Sequence, residues 1–170
     1  VFSPFTSDPA TDTTPPWSHD GSGIFFSSNR SNTGTELYEK PFGIPAAETL
    51  VLSTPGTRHP MDWSRDGKYL LYWPGNPNTD LWALSSDRVQ IPIIRGGPVG
   101  VLWPQFSPDG KWIAFQSSAF HPNAGPTEIY IHGPFEPPSM GQTSAKLSSN
   151  GGSWVRWAPN GKELFYIAPD

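Results

Sequence analysis

An all-β fold assembled from repeated four-stranded units is what this sequence predicts, on three observations. A tight-turn motif recurs four times, each copy runs into an alternating apolar and polar stretch, and Gly and Pro fall between such stretches rather than in blocks. The motif reads "WSHDGSGIFFSSNR" from Trp17, "WSRDGKYLLYW" from Trp63, "FSPDGKWIAFQSS" from Phe106 and "WAPNGKELFYIAPD" from Trp157. Alternation of period two marks strands, and the seventeen Gly and twenty-one Pro are spaced as turn residues are in an all-β chain.

The turn has a local cause. Asp20, Asp66, Asp109 and Asn160 carry short polar side chains that bond nearby backbone amides, and the Gly after each, Gly21, Gly67, Gly110 and Gly161, supplies the positive φ that closes a hairpin. Ser64 and Ser107 offer a second side-chain bond, and Pro108 and Pro159 fix φ just before the turn. These carboxylates therefore read as turn formers, not as a catalytic set. Trp17, Trp63, Phe106 and Trp157 read as wedges between stacked units, a ligand-binding aromatic stripe being the lesser reading.

The four aromatics are 46, 43 and 51 residues apart, the period of propeller blades of four antiparallel strands each. The expected fold is a β-propeller of about three complete blades with partial blades at both ends. Residues 1–15 are assigned to the end of a preceding blade, 16–58, 59–100 and 101–151 to blades, and 152–170 to a partial blade. In the third unit the strands are placed at 104–107, 111–117, 127–132 and 144–148. Second strands are expected at 24–28, 69–73 and 163–167, third strands at 35–40 and 79–85, and outer strands at 49–53 and 90–95. Because such rings close with 4 to 8 blades, the chain is expected either to be part of a larger propeller, the preferred reading, or to close by association with another chain. Starting at Val1 rather than Met, it reads as a piece of something longer.

At 170 residues, 35% hydrophobic and 14% aromatic, the chain has the material for a core. A net charge of −4, with eleven Lys and Arg scattered singly, gives no footprint for nucleic acid or an anionic membrane surface. Without Cys there is no disulfide framework or thiol nucleophile. No apolar run approaches the roughly 18 residues of a membrane span, so membrane insertion by this segment is not expected.

No G-x-S-x-G, Gly-rich phosphate loop or H-E-x-x-H occurs, and no enzymatic activity is expected. His19, His59, His121 and His132 lack ligand spacing, so neither metal nor other cofactor is called for. Asp8 and Asp12 in "SDPATDTT" offer oxygen ligands for a hard cation, but a solvated interblade loop is the preferred reading. The Asn29-Arg30-Ser31 sequon is read as a chance match. Binding candidates come from propeller geometry: the loops entering the inner strands and those joining second to third strands share one face around the channel. These are Asn29, Arg30, Arg58, His59, Asn76, Asn78, Trp103, His121, Asn123 and Trp154. To them are added Asp62, Gln105 and Arg156, which alternate toward the channel if the neighbouring wedges point into the seams. For Asp62 and Arg156 the equal alternative is that they merely satisfy neighbouring strands.

The turn motifs resemble the Tol-type propeller repeat, a relative of the WD repeats. The longer series "PPWSHDGSGIFFSSNRSNTGTELYEKP", "MDWSRDGKYLLYW", "PQFSPDGKWIAFQSS", "TEIYI" and "NGGSWVRWAPNGKELFYIAPD" resembles the C-terminal propeller region of bacterial membrane-anchored serine/threonine protein kinases. Similar repeats occur in Tol-type periplasmic proteins and in propeller domains of prolyl oligopeptidase-like hydrolases. Asn160 and Ala158 depart from the usual turn Asp and Ser. The resemblance implies a non-catalytic module for protein interaction or ligand sensing, holding a protein partner or small ligand at the propeller face, in a periplasmic or extracellular part of a larger protein. The alternatives are a substrate-gating domain of a prolyl oligopeptidase-like hydrolase, or a structural subunit of an extracellular assembly that self-associates through open blade edges.

Overall fold

The computed structural model describes residues 3–31, 34–75, 80–95, 100–117, 126–137 and 143–169. Among them, fourteen strands form four antiparallel sheets, with no helix. The first sheet contains β1 (Asp12–Thr13), β2 (Gly23–Ser28), β3 (Glu36–Pro41) and β4 (Thr49–Leu52). The second contains β5 (His59–Trp63), β6 (Tyr69–Trp73), β7 (Leu81–Ser85) and β8 (Gln90–Ile94). The third contains β9 (Leu102–Phe106), β10 (Ile113–Ser117), β11 (Glu128–Gly133) and β12 (Thr143–Lys146), and the last pairs β13 (Ser153–Trp157) with β14 (Leu164–Ile167). Strand order in every sheet follows chain order, as in propeller blades.

The apolar core lies in the seams between sheets. Phe25, Leu37, Val51 and Leu52 of the first sheet pack on Leu70, Tyr72 and Leu84 of the second. Leu71, Leu81 and Ala83 in turn meet Phe106, Ile113, Phe115 and Tyr130 of the third, and Ala114 and Ile129 meet Val155 of the fourth. A sheet covered on both faces needs strands apolar on both, and all five residues of β10 are buried. In β14, by contrast, Phe165, Tyr166 and Ile167 are exposed.

The turns are built alike. Ser64 Oγ donates to Asp66 Oδ1 at 2.7 Å and accepts from the Tyr69 amide at 2.9 Å, while the Lys68 amide reaches Asp66 Oδ1 at 3.1 Å and Gly67 takes φ +72°. Ser18 with Asp20 and Ser107 with Asp109 repeat these bonds, and Asn160 keeps the one to the amide two residues on. Hydrogen bonds from the Ser22 hydroxyl and amide and the Ser18 hydroxyl draw the Asp20 pKa down to about 2.

Two expectations are corrected. Asp12 and Thr13 pair with Ser28 and Ser27, so the first blade starts within the 1–15 segment expected to end a preceding blade. The same register makes this stretch the innermost strand of its sheet. Trp17, the first expected wedge, is 50% exposed and touches Phe42 edge-on at 4.9 Å, with no sheet packed over it among the described residues. Its counterparts differ: Phe106 is buried, and Trp63 and Trp157 are partly buried against neighbouring sheets.

Candidate functional site

The inner strands share an irregularity three residues before the turn aromatic. There Thr14, Trp103 and Trp154 take φ of +49°, +51° and +55°, a region that costs a residue with a Cβ about 1–3 kcal/mol. The corresponding residue of the second sheet is Pro60, whose ring forbids such a φ, and that strand instead shifts register between Pro60 and Asp62. Registers also shift in β9 and β13. A bulge of this kind bends its strand and re-aims the side chains beside it.

The break brings Trp103 and Trp154 together. Their rings stack with centroids 5.2 Å apart and planes 24° off parallel, yet they remain 43% and 49% exposed. The Trp154 amide donates to Gln116 Oε1 at 2.7 Å, pinning the bulge to β10. Beside the pair opens a cleft of about 280 Å³ walled by Pro16, Pro60, Met61, Trp103 and Pro104, with Gln105 and Arg156 as polar members. In the amide orientation that satisfies both neighbours, Gln105 donates to Val155 O and accepts from Arg156 Nη1, each at 3.2 Å. Arg156 Nη1 also donates to Val155 O at 2.8 Å. The cleft thus combines an apolar wall, an aromatic face and one cation, a composition suited to an extended or amphiphilic ligand.

Asp62 lies at the seam beneath, where its Oδ2 accepts from the Phe106 amide at 2.7 Å. Burial pushes its pKa up to about 6, against the lowering pull of the Phe106 and Trp63 amides and of His19 and Arg156. His59 stacks on Trp73 at 5.3 Å, and burial lowers its pKa, favouring the neutral ring.

The remaining candidates serve as structural ties. Arg30 lies over the Tyr38 ring at 4.2 Å and pairs with Asp12 at 3.5 Å and Glu48 at 3.4 Å, while Asn29 Oδ1 holds the Thr11 amide at 2.9 Å. Both belong to the packing of the first sheet rather than to the cleft. The Arg58 guanidinium donates to the Thr57, Pro74 and Pro55 carbonyls, clamping its loop. Asn76, Asn78, His121 and Asn123 lie outside the described residues. Among the described residues, no three His, Cys, Asp or Glu side chains converge as metal ligands would.

The segments expected as third strands, at 35–40, 79–85 and 127–132, share a Thr-acid pair whose role the strand pattern does not announce. "TELY", "TDLW" and "TEIY" open the third strands, and two of them stitch sheets together. Thr35 Oγ1 donates to Arg58 O at 3.1 Å and accepts from the Arg58 amide at 2.8 Å, and Thr127 Oγ1 donates to Gly152 O at 2.8 Å. The buried carboxylates that follow accept from outer-strand hydroxyls, Glu36 from Ser53 and Glu128 from Ser148, with the Gly151 amide 3.0 Å from Glu128 Oε2. The signal was the threefold Thr-acid pair itself; an acid at a strand start has no reason to recur unless something receives it.

Together, stacked four-stranded sheets with bulged inner strands around a cleft define a β-propeller segment. Solved structures carry the same fold. TolB from Acinetobacter baumannii superposes with a TM-score of 0.71 at 18% identity, over 94% of this chain and 38% of that one. A protein described as TolB from Agrobacterium tumefaciens gives 0.74 at 21%, over 97% of this chain and 57% of that one. A prolyl endopeptidase gives 0.60 at 20%, over 92% and 26%. This chain therefore spans well under two thirds of each. No protein-family profile and no curated protein matches the sequence.

Proposed function

We propose that the chain is a non-catalytic binding segment of a larger propeller, holding a protein partner or small ligand against its channel-side face. The observation that carries this reading is the Trp103–Trp154 stack: two large apolar rings kept in solvent by unfavourable backbone angles next to a cleft containing Arg156. Such outliers concentrate where a surface is shaped for a ligand. The Tol-type repeats support a periplasmic or extracellular setting, and the longer sequence pattern supports a sensor region attached to a kinase. The prolyl endopeptidase likeness favours a second reading, in which the segment gates substrate access to a hydrolase.

Selection of peptides from a displayed library against the 170-residue chain tests the proposal. Trp103→Ala and Arg156→Ala are expected to weaken the selected ligands at least about tenfold, whereas Lys68→Ala and Lys162→Ala on the opposite turns leave them unchanged. Ligands indifferent to both cleft substitutions overturn the reading.

A further inference from the structure

One main-chain hydrogen bond recurs just past the third strand of each complete sheet. The Phe42 amide donates to Ser22 O at 2.8 Å, the Ser86 amide to Lys68 O at 2.8 Å and the Phe135 amide to Lys111 O at 2.5 Å. Phe42, Ser86 and Phe135 therefore hold one place in three units. In two of them the ring turns back onto the aromatic that opens the turn of its own sheet, Phe42 meeting Trp17 at 4.9 Å and Phe135 meeting Phe106 at 5.1 Å, both edge-on. In the second sheet the residue is a serine. Tyr69, which closes on Phe135 from the second sheet at 5.1 Å, has Gly23 at its place in the first, six residues after the turn aromatic. The seam between the first and second sheets thus lacks both rings that close the seam between the second and third.

A cavity of about 150 Å³ remains there, walled by Phe25, Val51, Trp63 and Leu84, with Ser86 where the ring would be rooted. An apolar cavity of about that volume takes one benzene ring. Its charged members are Lys68, Arg88 and Glu39, a net positive set. Lys68 stands 3.5 Å from Asp66 and Arg88 stands 3.8 Å from Glu39, in solvent-accessible pairs that are worth little in water and yield readily to another anion.

We propose that this seam is a binding site for a small aromatic carboxylate of the phenylacetate class. Its single ring enters where Phe135 sits in the next seam, and its carboxylate stays at the mouth against Lys68 and Arg88. Both sheets that form the site are complete. The inference concerns a surface apart from the channel cleft and stands whether or not the cleft binds anything.

The probe is sodium phenylacetate, titrated into the 170-residue chain and followed by amide and indole NMR shifts, the Trp63 indole being assigned with Trp63→Phe. Saturable shifts are expected at the Trp63 indole and at the amides of Lys68, Ser86 and Arg88, with acetate giving none and benzyl alcohol binding more weakly. Arg88→Gln should weaken phenylacetate by roughly two- to fivefold, the range for one solvent-exposed ion pair. Ser86→Phe installs the ring of the third sheet, and should abolish the shifts while thermal unfolding stays at or above that of the parent. The ligand series changes no residue and so separates recognition from any loss of folding. Absence of saturable shifts at the seam, shifts centred on Trp103 and Trp154, shifts that survive in folded Ser86→Phe, or equal responses to phenylacetate and benzyl alcohol overturn the proposal. So does binding of N-acetylphenylalanine amide without binding of phenylacetate, because the occupant is then a peptide side chain.

Discussion

The Trp63 indole meets Phe25 edge-on, ring centroids 4.1 Å apart and planes 78° from parallel, and so joins the inner strand of the second sheet to the second strand of the first. Trp63→Ala opens this seam and should cost about 3–5 kcal/mol, the range for truncating a packed aromatic. Trp17 holds the same repeat position but is half exposed, so Trp17→Ala should stay within about 1 kcal/mol of the parent. Urea midpoints of the two variants are the measurement, and equal losses would mean that repeat position, not burial, decides.

Asp62 predicts an unusual acid response. Its folded pKa, pushed up by burial to about 6, stands above the ordinary aspartate value, so the protonated form suits the folded chain. Its contribution is fully present below the unfolded value and is lost as pH rises through about 6, amounting to at most about 3 kcal/mol. Asn keeps an oxygen for the Phe106 amide without ionising. Asp62→Asn should therefore match the parent near pH 4, gain on it as pH rises to about 6, and keep a constant advantage above that in denaturant titrations.

Glu128 predicts the opposite slope. The Ser148 hydroxyl first, then the Gly151 amide and Lys146, hold its carboxyl below the usual range despite burial. That stability is present above the unfolded value and lost as pH falls through the folded one. Glu128→Gln should cost about 2 kcal/mol at neutral pH, as for a hydrogen-bonded buried charge, with the deficit shrinking in acid. A deficit constant across pH would remove ionisation from the account.

Trp103 tests the backbone strain. At φ +51°, glycine fits where alanine is strained, so Trp103→Gly should be about 1 kcal/mol more stable than Trp103→Ala. Glycine elsewhere in a strand weakens it relative to alanine, so the reversed order in thermal or urea unfolding is the diagnostic result.

The sheets were legible because their cause is local. Period-two alternation and an Asp-Gly or Asn-Gly turn act within a dozen residues, and observed strands such as β6 at Tyr69–Trp73 fall where the pattern puts them. The cleft was only partly legible. Gln105 and Arg156 follow from alternation along inner strands, but Pro60 and Met61 join them through bulges, which insert a residue without altering composition. The fate of Arg30 was hidden for a different reason. Its partners Asp12, Tyr38 and Glu48 come from three separate stretches, and no local pattern announces such a meeting.

Stacked sheets touching only their neighbours do not open all at once. The seams differ in their ties: Thr35 grips Arg58, Asp62 grips Phe106, and Gln116 and Thr127 grip Trp154 and Gly152. In such a linear array the free energy of opening is a sum of nearest-neighbour terms, and amides exchange with solvent according to the smallest sum that frees them. The second and third sheets are packed on both sides, so the slowest amides lie in their central strands, β6 and β10.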